Sequence, residues 1–248
     1  MDHLQLVAKL TEQAEAMRAA VRQTGPDAPV PTCPEWTVRD LVEHTAKVHG
    51  WALTAVTSGD TSQRPPFPDS VPSDWSELLT HWQGVTEQLA GELTKADPDT
   101  PTWAFNGVNG KVGFWSRRQA HETAIHRLDA EAALAQGTAL PPLVFDPEMA
   151  ADGVDEYLSV LAPILSQRKP GGVQIDGRVL YHAADAGRTW QVTLTAGSPA
   201  VVGPAPGSGT DVDVTVAGTA DALYRAVWGR PSNAIITGEA ELLKALAP

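Results

Sequence analysis

The chain has 248 residues, 42% of them hydrophobic, with a formal net charge of −12 and a single cysteine, Cys33. Enough apolar residues to build a core argue against disorder, and the acidic surface repels phosphate backbones and anionic lipid, so neither nucleic acid nor a membrane is an expected partner. One cysteine allows no intrachain disulfide, which fits a cytoplasmic protein, and the length allows one large domain or two modest ones.

The opening segment, residues 2–23, places Leu4, Val7, Leu10, Ala14 and Met17 at helical spacing. It lacks the basic start and apolar run of a signal peptide, and no apolar run approaches the roughly 20 residues that span a bilayer. A proline-rich loop, TGPDAPVPTCPEW, follows. Thr37, three residues before Asp40, then marks the start of a second helix that runs to about Val56. GDTSQRPPFPDSVPSD breaks it, and a third helix covers about 74–95. The loop PDTPTWAFNGVNGKVG is long and aromatic, as a site-lining loop would be. A fourth helix is expected from about Phe114 to Ala135, and DPEMAADGVDEYLSVLAPIL suggests a fifth.

After SQRKPGG the chain changes character. RVLYHAAD, TWQVTLTAG and DVDVTVAG alternate as strands do. TADALYRAVWG reads as a helix capped by Thr219, NAIITG as a last strand and EAELLKALA as a last helix. The expected architecture is a helical bundle over residues 1–167, then a small α/β domain over 173–248.

The chemistry concentrates in RRQAHETAIHRLDAE on the fourth helix. Its two histidines are five apart, so it is not the zinc-protease motif, which spaces them by four. Glu122 and His126, however, are four apart and share a face with Trp115, Arg118, Gln119, Ile125 and Asp129. That face is too polar for an ordinary buried stripe, and buried polar groups need partners. A metal ion would be one partner; a hydrogen-bonded surface pair is the plainer alternative.

Zinc in a catalytic site takes three protein ligands and keeps one position open. His44, at the edge of the apolar stripe on the second helix, is the candidate third ligand, since bundles build metal sites from facing helices. His49, about 140° round the same helix, competes with it. His3, His81 and His182 show no partner pattern and are expected on the surface. Asp129, one turn beyond His126, suits the role of holding a ligand imidazole by its other nitrogen; an ion pair with Arg118 or Arg127 is the alternative. Arg118 can also sit under Glu122. Trp36 and Trp51 read as core or pocket wall, with core preferred. Cys33 reads as a small buried residue, not a nucleophile.

PTCPEWTVRDLVEHTAKVHGWA, FWSRRQAHETAIHRLDAE, DGVDEYL, HAADAGRTW and WGR, in that order, resemble the mycothiol-dependent maleylpyruvate isomerase family over nearly the whole chain. The resemblance implies a DinB-like four-helix bundle followed by a small α/β domain similar to sterol carrier proteins. It implies a divalent metal, zinc by preference, held by His44, Glu122 and His126. It also implies mycothiol as thiol cosubstrate, hence an actinobacterial source, and a functional arginine near the C terminus. Arg230 in WGR is the better match for that arginine and Arg225 the other.

The expected function is thiol activation for attack on an electrophilic small molecule, read first as mycothiol S-transfer and alternatively as cis–trans isomerisation of the maleylpyruvate type. Two readings of other kinds stand beside it: a non-catalytic module binding a lipid or small molecule, and a metal hydrolase, since an open zinc position also activates water.

Overall fold

A computed structural model describes residues 1–105, 110–136, 144–168, 172–203 and 211–248. Four long helices come first: α1 (His3–Thr24), α2 (Val38–Ser58), α3 (Trp75–Lys95) and α4 (Val112–Leu134). Asp2, Thr37 and Asp74 each accept from a backbone N–H in the first turn of the helix they open, and Asp2 and Thr37 form reciprocal capping boxes with Gln5 and Asp40. The helices pack chiefly as α1 against α4 and α2 against α3.

Two apolar clusters fill the bundle. One gathers Met17, Val21, Leu41, Val42, Leu78 and Trp82; the other gathers Leu10, Ala52, Leu89, Leu93 and Trp115. α4 is the central helix, with buried residues on all sides including Arg118, Gln119, His121, Thr123, His126 and Asp129. A helix with so many buried polar groups must satisfy them internally, and the second half of α4 does so at the site described below.

The loop between α1 and α2 is a tight structure in its own right. Pro29 and Thr37 form an antiparallel bridge. Inside it the Val30 N–H donates to the Trp36 carbonyl, Cys33 to Val30 and Trp36 to Cys33, all at 2.8–2.9 Å. A second bridge, Pro101 to Lys111, closes the aromatic loop before α4. There Thr102 Oγ1 donates to Ala55 O at 2.6 Å and Trp115 Nε1 to Trp103 O at 2.8 Å. Residues 106–109 of that loop lie outside the described residues.

The second half contains α5 (Pro147–Glu156), which continues through a π-helical turn (Tyr157–Leu161) into α6 (Ala162–Arg168). A five-stranded sheet follows: β1 (Gly177–Ala183), β2 (Arg188–Leu194), β3 (Val201–Gly203), β4 (Val214–Gly218) and β5 (Ile235–Gly238). The spatial order is β3-β2-β1-β4-β5; β1 and β4 pair in parallel and every other pair is antiparallel. In the β1–β2 hairpin, Val179, Tyr181 and Ala183 bury one face opposite Val192, Trp190 and Arg188. α7 (Ala220–Val227), capped by Thr219 as expected, joins β4 to β5. A short 3-10 turn (Ala240–Leu242) and α8 (Leu243–Leu246) end the chain.

The chain divides into two compact units, Met1–Leu140 and Pro141–Pro248. This differs from the expected division into 1–167 and 173–248, because the fifth helix packs on α7. Gly153 permits that packing: a Cβ there would lie 2.4 Å from Tyr224 Cε2. Asp155 Oδ1 further ties α5 to β2 by accepting from Arg188 Nη2 at 3.0 Å and Trp190 Nε1 at 2.8 Å. Among the described residues, no helix is long and apolar enough to cross a membrane.

Candidate metal centre

From the second turn of α2 and the middle of α4, the side chains of His44, Glu122 and His126 converge, with one ligand atom from each lying within 4.8 Å of the others. His44 Nε2 is 3.1 Å from Glu122 Oε1, and His126 Nε2 is 3.3 Å from the same oxygen. Ligand atoms about 2.1 Å from a tetrahedral zinc lie about 3.4 Å apart, so the donor set and its spacing fit a divalent ion. Glu122 Oε2 faces away from the cluster and accepts from Arg118 Nη2 at 2.7 Å. That leaves Oε1 to face both imidazoles. The side chain of His44 is 33% exposed against 10% for His126, so the cluster is open on its His44 side.

Burial alone would raise the Glu122 pKa, yet the Arg118 guanidinium and hydrogen bonds with His126 and His44 hold it well below the usual carboxylate range. Burial alone would lower the pKa of His126. Hydrogen bonds to Asp129 and Glu122 outweigh it and raise the value to about 9. Asp129, fully buried, accepts from His126 Nδ1 at 3.0 Å. An ionised carboxylate can only accept, so the proton sits on Nδ1 and Nε2 is the nitrogen turned to Glu122.

Asp129 therefore pairs with His126. Arg118 reaches Glu122 Oε2 at 2.7 Å, and Arg127 reaches Glu131 Oε1 at 2.7 Å and Gln13 Oε1 at 2.9 Å. His49 is not in the cluster. It is fully buried, with Nδ1 2.8 Å from Thr86 Oγ1 and Nε2 2.9 Å from Thr123 Oγ1. Both ring nitrogens are occupied, and burial depresses its pKa to about 3. His121 is buried in α4 outside the trio. His81 and His182 are exposed, but His3 is half-buried: Nε2 donates to Leu93 O at 2.7 Å and Nδ1 meets Ser116 Oγ at 2.9 Å, joining α1 to α3 and α4.

Three residues of the 30–36 loop also reach this region: Thr32 and Cys33, which their sequence context did not announce, and Trp36, for which pocket wall was the second of two readings. Thr32 Oγ1 donates to Asp129 Oδ1 at 2.5 Å. Cys33, half-buried, donates its thiol proton to Asp129 Oδ2 at 3.6 Å. The Trp36 ring lies 4.9 Å from the His44 ring and 5.9 Å from that of His126, which makes it a wall of the site as well as a neighbour of the core. The one hint in the sequence is the pair of prolines, Pro31 and Pro34, which stiffen this loop. Trp51 instead joins an aromatic cluster with Trp103, Phe105 and Trp115, and its indole N–H donates to Pro65 O at 3.0 Å.

In the second unit, Arg225 and Asp221 are buried and paired, Nε to Oδ2 at 2.9 Å, and Asp221 Oδ1 also accepts the N–H groups of Val144 and Phe145. Arg225 is thus committed to holding α7. Arg230 is half-buried; its N–H donates to Arg225 O at 2.9 Å and its Nη1 to Trp228 O at 2.8 Å, closing the end of α7.

No functionally curated protein matches this sequence. Two solved structures match over 96% of this chain and 95% of theirs. One is described as the mycothiol-dependent maleylpyruvate isomerase, with TM-score 0.64 and 15% identity. The other is a histidine-to-alanine mutant under the same name, with TM-score 0.62 and 14% identity. At such identities the likeness establishes the fold: four helices, then a five-stranded mixed sheet with helices. Family models cover the rest of the question, the mycothiol maleylpyruvate isomerase N-terminal domain at residues 7–131 and the C-terminal domain of that family at 148–245. Since the first of these alone spans half of the sequence, the chain belongs to the mycothiol maleylpyruvate isomerase family, a family of enzymes.

Proposed function

We propose that this chain is a metal-dependent isomerase that uses mycothiol to convert the cis double bond of a small conjugated acid, of the maleylpyruvate type, to trans. The observation that carries the proposal is the convergence of His44 Nε2, Glu122 Oε1 and His126 Nε2 within 4.8 Å, open on the His44 side. From the sequence alone, S-transfer is the first reading. Both family models and both similar structures bear the isomerase name, and that reverses the order.

When bound, a zinc ion would supply the charge that keeps the mycothiol sulfur deprotonated at neutral pH, for reversible addition to a conjugated carbon and rotation about the resulting single bond. The chain's own residues prepare for this. Asp129 holds the proton on His126 Nδ1 and so directs the Nε2 lone pair to the metal position. Arg118 keeps Glu122 ionised and occupies the oxygen that is not a ligand. Trp36 covers the imidazole rings and keeps water from that side. The guanidinium of Arg230 is assigned to a carboxylate of the substrate or to an anionic part of the thiol.

The test is turnover by zinc-reconstituted protein given mycothiol and maleylpyruvate. The trans isomer should accumulate while mycothiol is recovered unconsumed, and His44→Ala should abolish the reaction. Consumption of mycothiol mole for mole into an adduct would contradict isomerisation and restore the S-transferase.

A further inference from the structure

We infer that Thr32 is a positioning residue for the metal centre, acting through Asp129 on His126; the inference rests on the metal reading above. The geometry is a chain of contacts. Thr32 Oγ1 donates to Asp129 Oδ1 at 2.5 Å, and Asp129 Oδ2 accepts from His126 Nδ1 at 3.0 Å. His126 Nε2 then faces Glu122 Oε1 at 3.3 Å. Asp129 is fully buried, so its carboxylate cannot turn to water when a donor is lost. Two donors from one loop hold it: the Thr32 hydroxyl on Oδ1 and the Cys33 thiol on Oδ2. The hydroxyl is the stronger and shorter contact. With both in place, the carboxylate plane is fixed, and so is the direction in which the imidazole presents its free nitrogen.

The loop is built to deliver that hydroxyl. Its backbone is tied by the Val30–Trp36, Cys33–Val30 and Trp36–Cys33 hydrogen bonds and bracketed by the Pro29–Thr37 bridge. Pro31 and Pro34 remove backbone freedom on either side of Thr32 and Cys33. The same loop lays Trp36 against the His44 and His126 rings. One stiffened segment thus holds the carboxylate that supports His126 and lays an indole against both histidine rings, so the site is arranged before any ion arrives. Groups that support ligand histidines in this way typically change metal affinity by about 10- to 100-fold.

The experiment is chelator competition for zinc by the metal-free, full-length protein. Thr32→Val keeps the size and removes the donor; it should weaken zinc affinity about tenfold. Thr32→Ser, which restores a hydroxyl, should return most of that loss. In an Asp129→Asn background, Thr32→Val should add little, because its effect passes through the carboxylate. If Thr32→Val melts below the assay temperature, Thr32→Ala reads the same donor loss in a smaller side chain. Wild-type affinity in the hydroxyl-free variants, or a full additive loss on top of Asp129→Asn, would overturn the inference while leaving the metal centre standing. Failure of the wild type itself to bind zinc would overturn the metal reading and this inference with it.

Discussion

At the scale of residues, the metal-free site is a balance of charges in which His126 carries a second proton, on Nε2 toward Glu122, besides the one that Asp129 holds on Nδ1. Its folded pKa, about 9, lies above the ordinary 6.5. A raised folded pKa means the protonated form stabilises the native state. That contribution is fully present below about pH 6.5 and is lost as pH rises through about 9. Metal binding must displace the same proton, so its dependence has the opposite sign. Zinc affinity is predicted to rise about tenfold per pH unit between pH 7 and 9, while the melting temperature of the metal-free protein falls over the same range. Parallel chelator titrations and thermal melts check both; a pH-independent affinity would show that His126 is already deprotonated. Helical period brought Glu122 and His126 to one face and left His44 and His49 as rivals for the third place; the structure gathers His44 with the other two and ties His49 to Thr86 and Thr123. Thr32 and Cys33 were not legible in the sequence. They meet Asp129 from 97 and 96 residues away through a loop whose path no local pattern encodes.

At the scale of elements, caps and periodicity carried most of the helix assignments. Thr37 with Asp40 opens α2, and Thr219 opens α7. α4 was harder to read for burial, because it is enclosed on all sides yet polar at seven of its sixteen buried positions. β3, three residues at the sheet edge, is too short to show alternation. The fifth helix raises a packing question that sequence could not pose. In DGVDEYL the glycine sits in the middle of α5, where it would ordinarily weaken a helix, and the structure shows the Tyr224 ring filling the space its missing side chain leaves. Gly153→Ala gains helix propensity but forces a Cβ to within 2.4 Å of that ring. Overpacking should win, destabilising the protein by about 1–3 kcal/mol. Denaturant unfolding measures this, and a stabilised variant would show that the ring yields freely.

At the scale of the whole molecule, the chain is two compact units, and the compositional change near residue 171 marks the start of the sheet, not the boundary between units. Sequence patterning detects where strands begin; it does not detect that α5 packs against α7, a contact made across more than sixty residues. The family assignment, by contrast, was legible from five short strings, which carry the capped α2, the His44–Glu122–His126 cluster and the close Gly153 contact together. The proposed chemistry depends on His44, Glu122 and His126 holding a divalent ion. Glu122 is the member both histidines face, so it is the residue to change. The direct measurement is metal content after zinc loading and desalting, in untagged wild type beside Glu122→Ala. About one zinc per chain is expected in the wild type and none in the variant. Absence of zinc from the loaded wild type, or equal zinc in both, would contradict the proposed metal centre.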